Sequence, residues 1–121
     1  MAISYEINAD GDLLYVKASG KDDNLEEVMS YNQAVIGAAL NNKSKKVLCD
    51  ERDLIYTIST FDTFNLAEEA SAYARYMARI AIVCNEQSMP EGKFYETVSR
   101  NRGLKVLVTS NYDEAVSWLN R

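Results

Sequence analysis

Short apolar runs and helix-start signals alternate along this sequence, and that alternation limits its fold more than any other feature. Val47-Leu48-Cys49 is brief and wholly apolar, as a strand covered on both faces is. Ile80 to Cys84 and Leu104 to Thr109 are further strands. Each is reached through a segment with helical periodicity. Strand and helix in alternation imply a mainly parallel sheet joined by right-handed crossovers.

The start of the chain differs. Ile3 to Asn8 alternates apolar and polar residues, Asp10-Gly11-Asp12 is a turn signal, and Leu13 to Ala18 is a second strand. The simplest pairing is an antiparallel hairpin. Asn24 can cap the first helix, with Glu27 at the reciprocal position and Leu25, Val28, Met29, Ile36 and Leu40 on one face. Asn41-Asn42 stops it. Phe61 to Met77 reads as a second helix with a small-residue stripe of Phe64, Ala67, Ala70, Ser71 and Ala74. A third opens at Ser88, with Pro90 in its first turn and Glu91 at the reciprocal position, and closes at Gly103. Asn111 caps a short last helix whose face is Ala115, Trp118 and Leu119. The expected architecture is therefore α/β: a mainly parallel five-stranded sheet with an N-terminal hairpin and four helices, in one domain spanning residues 1–121.

Composition narrows function mostly by exclusion. The formal charge is −5, with 13 basic residues scattered among 18 acidic ones, so the basic stripe of a nucleic-acid binder is missing. Histidine is absent, which removes the usual general base near neutral pH and the commonest neutral metal ligand. Cys49 and Cys84 read as buried small hydrophobes; a redox pair would require their strand ends to be neighbours. Glu51, Arg52 and Asp53 read as a solvated loop with a local ion pair, too poor in ligands for a metal. The expectation is a protein without cofactor, not an enzyme. Met1 to Glu6 carries no basic n-region or long apolar run, and no run approaches a membrane span, so a cytoplasmic protein without leader is expected.

The element order resembles that of the STAS domains, the anti-sigma-factor antagonist fold. The C-terminal third is more specific: Phe94-Tyr95-Glu96-Thr97-Val98, Arg102-Gly103-Leu104-Lys105-Val106 and Asp113-Glu114-Ala115-Val116-Ser117-Trp118-Leu119 resemble the SpoIIAA-like (STAS/Sec14-type) family of uncharacterised bacterial proteins. Those are packing residues, so the resemblance implies fold. In regulatory STAS domains a strand ending in Asp leads to an Asp-Ser-Ser/Thr-Gly turn, whose serine is phosphorylated. Aligned on Asp50, that turn falls on Ile58-Ser59-Thr60-Phe61. Ser59 and Thr60 match the hydroxyl positions; Ile58 and Phe61 replace Asp and Gly.

The candidate switch or contact residues are thus Asp50, Tyr56, Ile58, Ser59, Thr60, Phe61 and Phe64. The hydroxyls also suit simple helix capping, and the same helix start would stabilise a phosphate. The aromatic and aliphatic members suit a contact surface or the mouth of an apolar pocket. The expected function is a non-catalytic binding module acting through a protein partner, or a second copy of the chain, at the strand 3–helix 2 junction. The alternative is a carrier of a small apolar ligand or lipid.

Overall fold

A computed structural model describes residues 3–121; Met1 and Ala2, which belong to the leader reading, lie outside the described residues. Five strands form one mixed sheet in sequential order: β1 (Ile3–Asp10), β2 (Leu13–Lys21), β3 (Lys46–Ile55), β4 (Arg79–Cys84) and β5 (Val106–Thr109). β1 runs antiparallel to β2 through the Gly11 turn, where φ is +60°. The other pairings are parallel.

The helices are α1 (Leu25–Asn41), α2 (Thr60–Ser71), α3 (Met89–Asn101) and α4 (Tyr112–Leu119). Because β2 to β5 are parallel and laid down in order, right-handed crossovers put every connecting helix on the same face. Val28, Tyr31, Ile36 and Ala39 of α1, Leu66 and Ala70 of α2, and Val98 of α3 share one core with Val16, Cys49, Ile82 and Val108. The last described helix, α4, leads into no strand among the described residues and is not bound by that rule. It covers the opposite face, where Ala115 and Leu119 meet Leu48, Ala81 and Val83.

Side-chain caps form where the sequence places them at three helices: Asn24, Ser59 and Asn111 accept from the amides of Glu27, Asp62 and Glu114. The fourth differs. Ser88 makes no capping bond; Asn85 instead caps a 3-10 turn, Glu86–Ser88, that runs into α3. The second helix is also shorter than its alanine stripe implies. It ends at Ser71, whose hydroxyl bonds back to the Ala67 carbonyl at 2.6 Å, and a 3-10 turn at Ala74–Tyr76 follows. Leu40, expected on the buried face of α1, is exposed.

Gly92 fixes how closely α3 approaches the sheet. A Cβ there would lie 2.5 Å from Val108 Cγ1. No larger residue fits there unless Val108 or α3 shifts.

Candidate functional site

The segment with the greatest difference from expectation is 50–55. β3 does not end at Cys49; it runs ten residues, through the charged cluster to Ile55. Glu51-Arg52-Asp53 is therefore strand, not a solvated loop. Its pairing with β2 carries a bulge: Lys17 lies opposite Asp50, yet Ser19 lies opposite Asp53. One extra residue on β3 resets which side chains face which side. Asp50, Arg52 and Asp53 gather near Lys17 on the α4 side. Glu51 and, beyond the bulge, Leu54 turn to the three-helix side.

On the α4 side, Asp50 is 1% exposed and fully engaged. Arg52 grips it with Nε and Nη2 at 2.9 and 2.7 Å, and Lys17 Nζ lies 3.4 Å away. Lys17 also reaches Asp53 at 3.3 Å. The Arg52 guanidinium lies 5.0 Å from the centre of the Tyr112 ring. The hydrogen bonds from Arg52 hold the Asp50 carboxyl down at about 2, against burial, which acts to raise it.

On the three-helix side lies a cavity of about 110 Å³. β3 supplies a row of its lining, Val47, Cys49 and Glu51, spaced by the two-residue period of a strand over about 13 Å. At the amino ends of the strands the walls are apolar: Ile36, Val47, Met77 and Ile80. The polar lining concentrates at the carboxyl ends, where Asp22, Glu51, Tyr56, Thr63 and Glu91 meet. Among the described residues lining this cavity three are acidic and none is basic.

Glu51 is the centre of that polar end. It is 7% exposed, and its two oxygens accept from different phenols: Oε2 from Tyr31 at 2.7 Å and Oε1 from Tyr56. Burial raises the carboxyl's pKa, and the two phenol bonds oppose that rise. Burial and the Glu51 charge push both tyrosines well above the usual phenol value. They therefore act as fixed donors. Asp22, also buried, accepts from the Thr57 backbone N–H and so ties the β2–α1 loop to the β3–α2 loop. Its carboxyl is raised chiefly by burial.

The cysteines are unpaired and buried. In the β3–β4 register Cys49 lies opposite Ile82 and Cys84 opposite Glu51, so the two are not cross-strand partners. Burial raises Cys49 well above its usual value and, with Glu51 adding, Cys84 to about 11. Both are held as thiols, the unreactive form. No group of three or more Cys, Asp or Glu among the described residues is arranged to hold a metal ion.

Of the residues singled out in the sequence, Tyr56 and Ile58 line the cavity. Ser59 caps α2 and is exposed beside Thr60. Phe61 is 71% exposed. Phe64, half-buried, lies under the Arg102 guanidinium, 4.9 Å from ring centre to carbon. Asp50 is on the far side of the sheet from these. Of the other lining residues, Asp22 and Tyr31 were not singled out in the sequence, while Glu51 read as solvated loop, Glu91 as a capping residue and Tyr95 as packing. The available signal was the two-residue spacing Val47, Cys49, Glu51, which continues the buried face of β3 into the charged cluster.

Two solved structures share this architecture. An anti-sigma factor antagonist from Mycobacterium paratuberculosis aligns with a TM-score of 0.71 at 12% identity, over 99% of this chain and 96% of its own. An uncharacterised protein of the DUF3478 family with a SpoIIAA-like fold, from Shewanella loihica PV-4, aligns with a TM-score of 0.56 at 17% identity, over 98% and 94%. This chain has the SpoIIAA-like fold. No protein-family sequence model and no curated protein sequence matches it. No helix among the described residues is long and apolar enough to cross a membrane.

Proposed function

We propose that this chain is a non-catalytic binding module that holds a small, largely apolar molecule between its sheet and α1–α3. The observation that carries the reading is the cavity, apolar at one end and with its polar groups gathered at the other. Binding sites are commonly concave, apolar-walled and furnished with a few convergent polar groups. Their place at the carboxyl ends of parallel strands is where open α/β sheets take ligands. About 110 Å³ suits a small ring or a short alkyl chain of roughly six heavy atoms. The protonated thiols and the tyrosines fixed as donors to Glu51 supply no activated nucleophile, which favours binding over chemistry. Native mass spectrometry of gently purified protein should detect a co-purifying small molecule. A clean mass, with no thermal shift on adding small apolar compounds, would overturn the reading.

A second reading, contact with a protein partner at the β3–α2 junction, is favoured by Phe61 at 71% and Ile55 at 55% exposure. The shared fold with an anti-sigma factor antagonist is consistent with it. A photoreactive residue at position 61 should then form a protein adduct in the native cell. Its absence, together with no phosphate on Ser59 or Thr60 in any growth condition, would remove this reading and the switch with it.

A further inference from the structure

The polarity of the cavity specifies more than its size does. Acidic residues reach its polar end from three separate places: Asp22 after β2, Glu51 within β3 and Glu91 in the first turn of α3. No basic side chain among the described residues lines it. The two cations that could have neutralised β3, Lys17 and Arg52, are on the other face, bound to Asp50. Glu51 is also not saturated. A carboxylate offers about four lone-pair positions, and Tyr31 and Tyr56 use one on each oxygen. Both open positions are acceptors, so what they can take is a hydrogen-bond donor. A carboxylate or phosphate headgroup would meet only like charge here.

We infer that the cavity is selective for a small apolar molecule ending in a protonated amine, with the alkyl or ring portion against Val47 and Ile80 and the ammonium group at Glu51. This rests on the ligand-binding reading above and narrows its ligand class. It excludes fatty-acid-like anions, and it makes neutral alcohols weak ligands. Glu51 supplies the principal acceptor; Glu91 and Asp22 add field.

A matched series separates the two levels. Pentan-1-amine, pentan-1-ol and pentanoate are titrated into the full chain at neutral pH, followed through the amide and methyl resonances of Val47, Ile80, Ile82 and Val108. The amine should bind at least about tenfold more tightly than the alcohol, equivalent to about 1.4 kcal/mol, and pentanoate should not bind. Glu51→Gln should bring the amine down to the level of the alcohol, and Glu91→Gln should lower it by a smaller factor. If the alcohol or pentanoate equals or exceeds the amine, the amine inference fails while the ligand-binding reading stands. Amine shifts that avoid the cavity resonances, or that survive Glu51→Gln unchanged, also overturn it. If none of the three compounds moves a cavity resonance, the ligand-binding reading itself fails.

Discussion

Asp50 and Glu51 are consecutive residues of one strand, both almost wholly buried, and their surroundings treat them in opposite ways. Asp50 faces α4 and meets Arg52 and Lys17, which favour its charge. Glu51 faces three helices and meets two phenols and other carboxylates, which leave burial as the dominant effect. One side of the sheet has a finished ion cluster. The other has an acceptor with unused capacity beside an open space. Burial alone therefore says little about whether a charged group is structural; its partners decide.

The contrast can be broken first at Asp50. Asp50→Ala should cost about 2–3 kcal/mol in urea unfolding, somewhat below the usual loss for a broken buried pair, because Arg52 and Lys17 can turn to water. The effect is pH-dependent. Asp50 is held at about 2 against an ordinary 3.8, so its contribution is present above pH 4 and is lost as pH falls toward 2. Wild type and variant should converge at the acid end; curves that stay parallel would refute the ion-cluster account.

Gly92→Ala should cost about 2 kcal/mol, since its Cβ would press on Val108 at the cavity wall. A melting temperature unchanged by that substitution would mean that α3 is less closely seated than described. Ser59→Ala removes the α2 cap and should cost about 1 kcal/mol, read by faster amide exchange at Asp62. Unchanged exchange there would show the cap to be idle.

Glu51→Gln has the smallest expected effect on folding and the opposite sign, from zero to a gain of about 1 kcal/mol at neutral pH. The folded-state pKa of Glu51 is raised, so its favourable contribution belongs to the protonated form. It is present below the unfolded value, near 4.5, and lost as pH rises through the folded value. The variant should thus match wild type in acid and move ahead of it on the way to neutrality. A clear loss of stability at pH 7 would place Glu51 in the same class as Asp50.

Much of this architecture was legible in the sequence because its signals are local. The Asp10-Gly11 turn, the caps at Asn24 and Asn111 and the positive φ of Gly103 each depend on a few adjacent residues. The alternation of elements implied a mainly parallel sheet with right-handed crossovers, while the order of its strands came only from the structure. The candidate site was hidden for the complementary reason. Three consecutive charges argue for a loop, and only partners distant in sequence reverse that. Tyr31 is twenty residues from Glu51, and Lys17 thirty-three from Asp50. The end of α2 at Ser71 was hidden likewise, since Ala70 to Ala74 continues a favourable helical stripe past the point where the chain turns.

The bulge in β3 also governs which changes in chain length this protein can absorb. Losing one residue from 51–53 would restore regular pairing with β2. Losing Arg52 or Asp53 would do so with Leu54 still opposite Gly20 and facing the three helices, whereas losing Glu51 would turn Arg52 toward the cavity in its place. Between Lys21 and Leu25 the loss of a residue can likewise take Asp22 from the cavity or Asn24 from the α1 cap. Which of residues 51–53 is lost therefore decides whether a carboxylate or a guanidinium faces the cavity.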